Sequence, residues 1–116
     1  MIEVALRNYL ETNLDGVPVF MEQPKDVPQR YVLMRLSDAG RINHIDAATF
    51  FVDVVAESLY AAAELRDLVK DLLFDAVTID SITHSSIGGE RSNTDSANHV
   101  YKYELTYNFY YYREEI

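Results

Sequence analysis

Apolar and polar residues alternate most clearly at the end of the chain. From Tyr101, every second residue is apolar or aromatic: Tyr101, Tyr103, Leu105, Tyr107, Phe109 and Tyr111. Between them stand Lys102, Glu104, Thr106 and Asn108, followed by Tyr110 and Tyr112. Period two over this length predicts a long strand with one apolar and one mostly polar face. Such a strand needs neighbours for its backbone and a cover for its apolar side.

Elsewhere the pattern switches between helical and extended spacing. Ile2, Leu6, Tyr9, Leu10 and Leu14 recur as on one helix face, predicting a helix over residues 2–14, with Asp15-Gly16 as its stop. Residues 17–21 contain Pro18, which restricts them to an edge strand. A connector with Pro24 and Pro28 follows, and then a strand over residues 30–37. Asp38 to Asn43 carries turn chemistry. Residues 44–56 read as a strand apolar on both faces, with Phe50, Val52 and Val54 against Phe51 and Val55, as in a central strand covered on two sides, by helices or by a neighbouring subunit. Ser58 is a good N-cap for a second helix, Leu59 to Phe74, with a wide apolar arc of Ala62, Leu65, Leu68, Val69, Leu72 and Leu73. Residues 77–87 are strand-like, with a phase change near Asp80-Ser81 that predicts a bulge. Gly88 to Asn98 is small, polar and charged, about twice the ~2–5 residues usual for a hairpin loop. It is expected to be mobile or functional.

The order α-β-β-β-α-β-β predicts an α+β domain: an antiparallel or mixed sheet of four to five strands with two helices on one face. No internal repeat breaks the chain, and residues 1–116 are read as one domain.

Composition narrows the function classes. The absence of cysteine excludes a disulfide framework and a thiolate metal site. The N-terminus MIEVALRNYL lacks a basic start followed by an apolar core, so no signal peptide is expected. Its apolar runs are too short to span a bilayer. A net charge of −9 repels phosphate backbones, so direct nucleic-acid binding is not expected.

Candidate chemistry is sparse. His44 and Asp46 put two metal-ligand types on one predicted strand face, and His84 and His99 flank the predicted loop and could sit opposite each other across a hairpin. Strand-end histidines that merely cap or solvate are the usual case, and no metal site is expected. Glu64, Asp67 and Asp71 share a helix face, best read as solvated. No G-x-S-x-G elbow, dinucleotide fingerprint or Walker lysine is present. The tyrosines stand out: six of the nine fall between Tyr101 and Tyr112. A phenol suits a surface dry at one end and wet at the other. This leaves two readings open: a sheet face half-covered by helices, or a subunit interface along the last strand. Tyr110 and Tyr112 fall on the face opposite Tyr111, so both faces of the strand's end look adhesive.

The layout resembles the tail-terminator (tail-completion, minor tail) proteins of long-tailed siphophages and their prophages. The likeness covers nearly the whole chain: the leading helix; VPVFMEQPKDVPQRYVLMRLSDAGR; the strand with Ile45, Asp46, Ala48, Phe50, Val52 and Val54; SLYAAAELRDLVKDLL; and YKYELTYNFYYY. The resemblance implies a subunit without enzymatic activity or cofactor that assembles with itself as a ring, typically a hexamer. That ring caps the tail tube at its head-proximal end, ends polymerisation and presents a surface to head–tail connector proteins. It also implies a place in the virion tail after synthesis in the bacterial host cytoplasm. Assembly surfaces are expected on hairpin loops and strands: Arg41 and Asn43, Arg91 and Asn93, and the strand end Tyr110, Tyr111 and Tyr112. Leu65 and Leu68 of the wide helix arc join them, because heterologous assembly needs two different surfaces. The competing readings are a phage neck or head-closure protein, and a small-ligand module built around His44, Asp46 and the acidic helix.

Overall fold

A computed structural model describes residues 1–79 and 81–112. Helix α1 (Ile2–Asn13) is followed by strands β1 (Val19–Phe20), β2 (Tyr31–Ile42) and β3 (Ile45–Ala56), helix α2 (Leu59–Phe74), and strands β4 (Ile82–Ser92) and β5 (Tyr101–Tyr111). The strands form one sheet in the order β1-β2-β3-β5-β4. All neighbours are antiparallel except β1 and β2, so the sheet is mixed. This is the expected α+β architecture, with both helices on one face.

Register explains how one face became the core. The cross-strand rows Met34–Val52–Leu105 and Leu36–Phe50–Tyr107–Ile87 put the alternating apolar residues on the same side. Ile2, Leu6 and Leu10 of α1 and Leu65, Val69 and Leu73 of α2 share the main buried cluster with Val52, Phe50 and Leu105. The rings of Phe50 and Phe109 meet edge to face, with centroids 5.9 Å apart. Ser58 caps α2 as expected, its side chain accepting from the Ala61 N–H at 3.1 Å. The Tyr9 hydroxyl of α1 donates to the Leu72 carbonyl at 2.7 Å, tying the two helices together. β1 is only two residues long, and α1 closes its outer edge: Glu11 accepts from the Val19 N–H and Arg7 donates to the Val19 carbonyl.

Three boundaries differ from the sequence expectation. Asp38 to Ile42 is strand, not turn; the chain reverses over Asn43 and His44 alone, at φ 52° and 70°. Two consecutive left-handed residues make the type I′ geometry that matches strand twist. The expected turn residues Asp38 and Gly40 instead follow a bulge between Leu36 and Asp38 that keeps β2 in register with β3. Secondly, residues 75–78 form a short 3-10 turn, and β4 begins at Ile82. Asp80 lies outside the described residues; the irregularities fall between Ile82 and His84 and between Ile87 and Gly89. Thirdly, Gly88 to Ser92 is strand. A Cβ at Gly88 would come within 2.8 Å of the Asn108 side-chain nitrogen, so glycine lets β4 bulge here beside β5. The remaining loop, residues 93–100, is pinned rather than loose: Asn93 N–H donates to the Lys102 carbonyl, and the Asp95 side chain accepts from the Asn98 N–H.

The long strands exceed either helix in length. Twelve strand residues span about 40 Å at roughly 3.3 Å each, whereas the sixteen of α2 span about 24 Å. The molecule is accordingly elongated, 48 × 26 × 24 Å. From Arg35 to His44 every residue is exposed, making this stretch an open arm along the sheet's edge, while β3 beside it stays paired with β5 as far as Asp46.

Candidate assembly surface

Among the described residues no helix covers the other face of the sheet, which divides into a charged half and an apolar half. Asp53 and Glu104 are direct cross-strand partners, so two carboxylates face each other on β3 and β5. Like charges in this relation repel. Arg35 of β2 lies between them, its guanidinium 3.1 Å from each. Arg91 of β4 adds a second contact to Glu104 at 3.1 Å. The Arg35 head also lies 5.3 Å from the centroid of Phe51, so its stem and charge cover an aromatic that no helix covers. This half of the face is neutralised and occupied. It is not covered on its second side by helices, as the apolar residues on both faces of β3 had led us to expect as one option.

Towards the arm the face changes character. Gly40, Ile42, Ile45 and Ala47 of the hairpin and Tyr110 of β5 line a shallow groove of ≈ 430 Å³, with Arg41, Asn43 and Thr83 at its margins. Ile42 is 75 % exposed, although it is an aliphatic residue in a strand. The ring of Tyr110 is tilted against His84, with centroids 5.4 Å apart. Tyr112, also exposed, follows at the strand's end.

The structure thus brings Arg41, Asn43 and Tyr110, from two distant segments, to one groove. It sends Arg91 and Asn93 to the opposite end of the sheet, near Tyr103 and Lys102. Tyr111 and Leu65 are not surface residues. Both belong to the main core, because Tyr111 falls on the helix-covered face in the row Asp46–Tyr111–Ile82, and Leu65 is on the inner side of α2. Leu68 is exposed on the outer side of α2. Sequence reasoning reached Ile42 only as part of the Asp38–Asn43 turn stretch and missed Ile45 and Ala47. The readable signal was an aliphatic residue on each side of Asn43-His44, but the Asp38–Gly40 run outweighed it.

The histidines and Asp46 also fall elsewhere than their sequence positions suggested. His44 sits in the turn rather than on a strand face, and Asp46 is buried 3.5 Å from Arg41. His84 and His99 do not oppose each other: His84 neighbours Tyr110, while His99 is beside Tyr101 at the other end of β5. Among the described residues, no three His, Asp or Glu side chains are grouped to hold a metal ion. Glu64, Asp67 and Asp71 are exposed, as expected for a solvated helix face. Among the described residues, no helix is long and apolar enough to cross a membrane.

Two phenols carry shifted acidities. Burial, reinforced by Glu90 and Asp71, pushes Tyr107 up to about 12. Burial raises Tyr9 as well, with Asp75 adding to it. Both rings are tied to α2: the Tyr107 hydroxyl lies 3.4 Å from the Lys70 carbonyl, and that of Tyr9 bonds to Leu72. These tyrosines hold the fold together, whereas Tyr110 and Tyr112 are exposed at the end of β5. A comparison of the chain with protein-family models finds no match, and neither does one with curated proteins.

Proposed function

We propose that this chain is a structural subunit of the phage tail-terminator type. It joins with copies of itself as a ring, caps the tail tube at the head-proximal end and offers the connector proteins a surface. The observation that supports this reading best is the exposed apolar tip of the β2–β3 hairpin. A domain that folds only for its own stability has no need of an aliphatic residue as exposed as Ile42 at the tip of a hairpin. An apolar groove beside that tip is what a heterologous contact between copies uses. The resemblance of the sequence to the tail-terminator layout points the same way.

The test is genetic and physical. A phage lacking this gene should make abnormally long tails. The purified chain should form rings visible by negative stain, alone at high concentration or on tail tubes. Full capsids leaking DNA beside tails of normal length would instead favour a head-closure role.

A further inference from the structure

The sheet ends in two strand edges of complementary form. Among the described residues, β1 covers β2 only at Val32 and Leu33, and no strand pairs with the outer edge of β4. Exposed edges of this length invite pairing with another chain. Their directions match. β2 is antiparallel to β3, β3 to β5 and β5 to β4, so β2 and β4 run in opposite directions. A second copy placed beside the first in the same orientation therefore lays its β4 antiparallel to β2.

The register is indicated by one cross-strand row. Leu36, Phe50, Tyr107 and Ile87 lie side by side on the helix face of β2, β3, β5 and β4. The two inner residues are buried, while the two at the ends, Leu36 and Ile87, are 47 % and 45 % exposed. Each chain thus carries an apolar residue at both ends of its core row. Joining the edges level places Leu36 of one copy against Ile87 of the next and continues the row. A slip of one residue would put them on opposite faces.

Bulges normally blunt an edge. Here they fall at different levels: at Ser37 in β2, and at Thr83 and Gly88 in β4. Asp38–Gly40 and His84–Ser86 remain regular and stand level with one another across the sheet. The bulges therefore leave one short window for pairing rather than a whole edge.

We infer that copies of this chain join by antiparallel pairing of the β2 edge of one subunit with the β4 edge of the next, with Leu36 against Ile87. This rests on the ring reading and adds an edge-to-edge contact to the one offered by the groove.

The chain has no cysteine, so introduced thiols report cleanly. Leu36→Cys and Ile87→Cys are made singly and together, with folding checked by circular dichroism, and treated with a short bis-maleimide while light scattering follows assembly. The single variants should stay uncoupled, an equal mixture should stop at dimers, and the double variant should give a ladder of covalent multiples. Coupling of either single variant to itself would overturn the pairing, as it would show a two-fold contact. Rings that form without any ladder would overturn the pairing and leave the ring reading intact. A chain that never associates, even on the tubes of its own phage, would overturn both.

Discussion

Tyr110 and Tyr111 are adjacent in sequence and stand on opposite faces of the sheet, one 46 % exposed and the other 7 %. Tyr111 closes a row with Asp46 and Ile82 under the helices, whereas Tyr110 lines the groove with Ile42 and Ala47. Truncating them should therefore separate folding from assembly. Tyr111→Ala is expected to lower stability by about 2–4 kcal/mol, as for other large residues cut from a core. Tyr110→Ala should change stability by no more than about 0.5 kcal/mol and weaken association. Urea unfolding and light scattering on the same preparations check both halves. Equal losses of stability would remove the groove from the assembly surface.

The arm's turn gives a second prediction. His44 is held at φ 70°, where a side chain is strained and glycine is not. His44→Gly should stabilise the fold by roughly 0.5–1 kcal/mol, since the type I′ turn favours asparagine followed by glycine. His44→Val should cost roughly 1–2 kcal/mol. Thermal unfolding of the two variants should show shifts of opposite sign.

Arg35 separates two facing carboxylates on the open face. Arg35→Met keeps a stem over Phe51 but leaves Asp53 and Glu104 opposed. A loss of about 1–2 kcal/mol is expected, moderated because the arginine is half exposed to solvent. Adding Asp53→Asn should recover much of it, and raising the salt concentration should shrink the deficit. A double-mutant cycle in urea, run at two ionic strengths, reads the coupling directly.

The phenol of Tyr107 predicts an alkaline limit. Its pKa is raised from 10.0 to about 12 in the folded state, so the native protein keeps a proton that the unfolded chain loses. The stability this contributes is fully present below pH 10 and is lost as pH rises from 10 towards 12. Tyr107→Phe should flatten that decline. Absorbance titration of tyrosinate should show one fewer late-ionising group in the variant.

Much of the fold was legible because single faces of single elements carried the signal. The α2 boundaries follow from Ser58 and the arc Ala62–Leu73, and β5 follows from strict alternation. What was not legible depended on a partner strand. Asp38, Ala39 and Gly40 have the composition of a turn, yet pairing with Thr49, Ala48 and Ala47 holds them extended. Gly88 and Gly89 look like loop, yet β5 supplies a neighbour with Asn108 and Thr106. The groove was hidden for the same reason. Asn43 and Tyr110 meet only because the order β2-β3-β5-β4 puts β5 beside the hairpin. Leu65 and Tyr111 looked adhesive because periodicity marks an apolar face without saying what covers it.

The turn at Asn43-His44 also sets how the arm can vary. A two-residue reversal has no slack to absorb an extra residue, and beyond the bulge at Ser37 both strands of the arm alternate faces residue by residue. One residue inserted in β2 and one in β3 would turn Ile42 and Ile45 away from the groove. Adding two to each restores them and moves the tip outward by roughly 7 Å. The length of the arm is therefore quantised, and a ring built with it can change its dimensions only in steps.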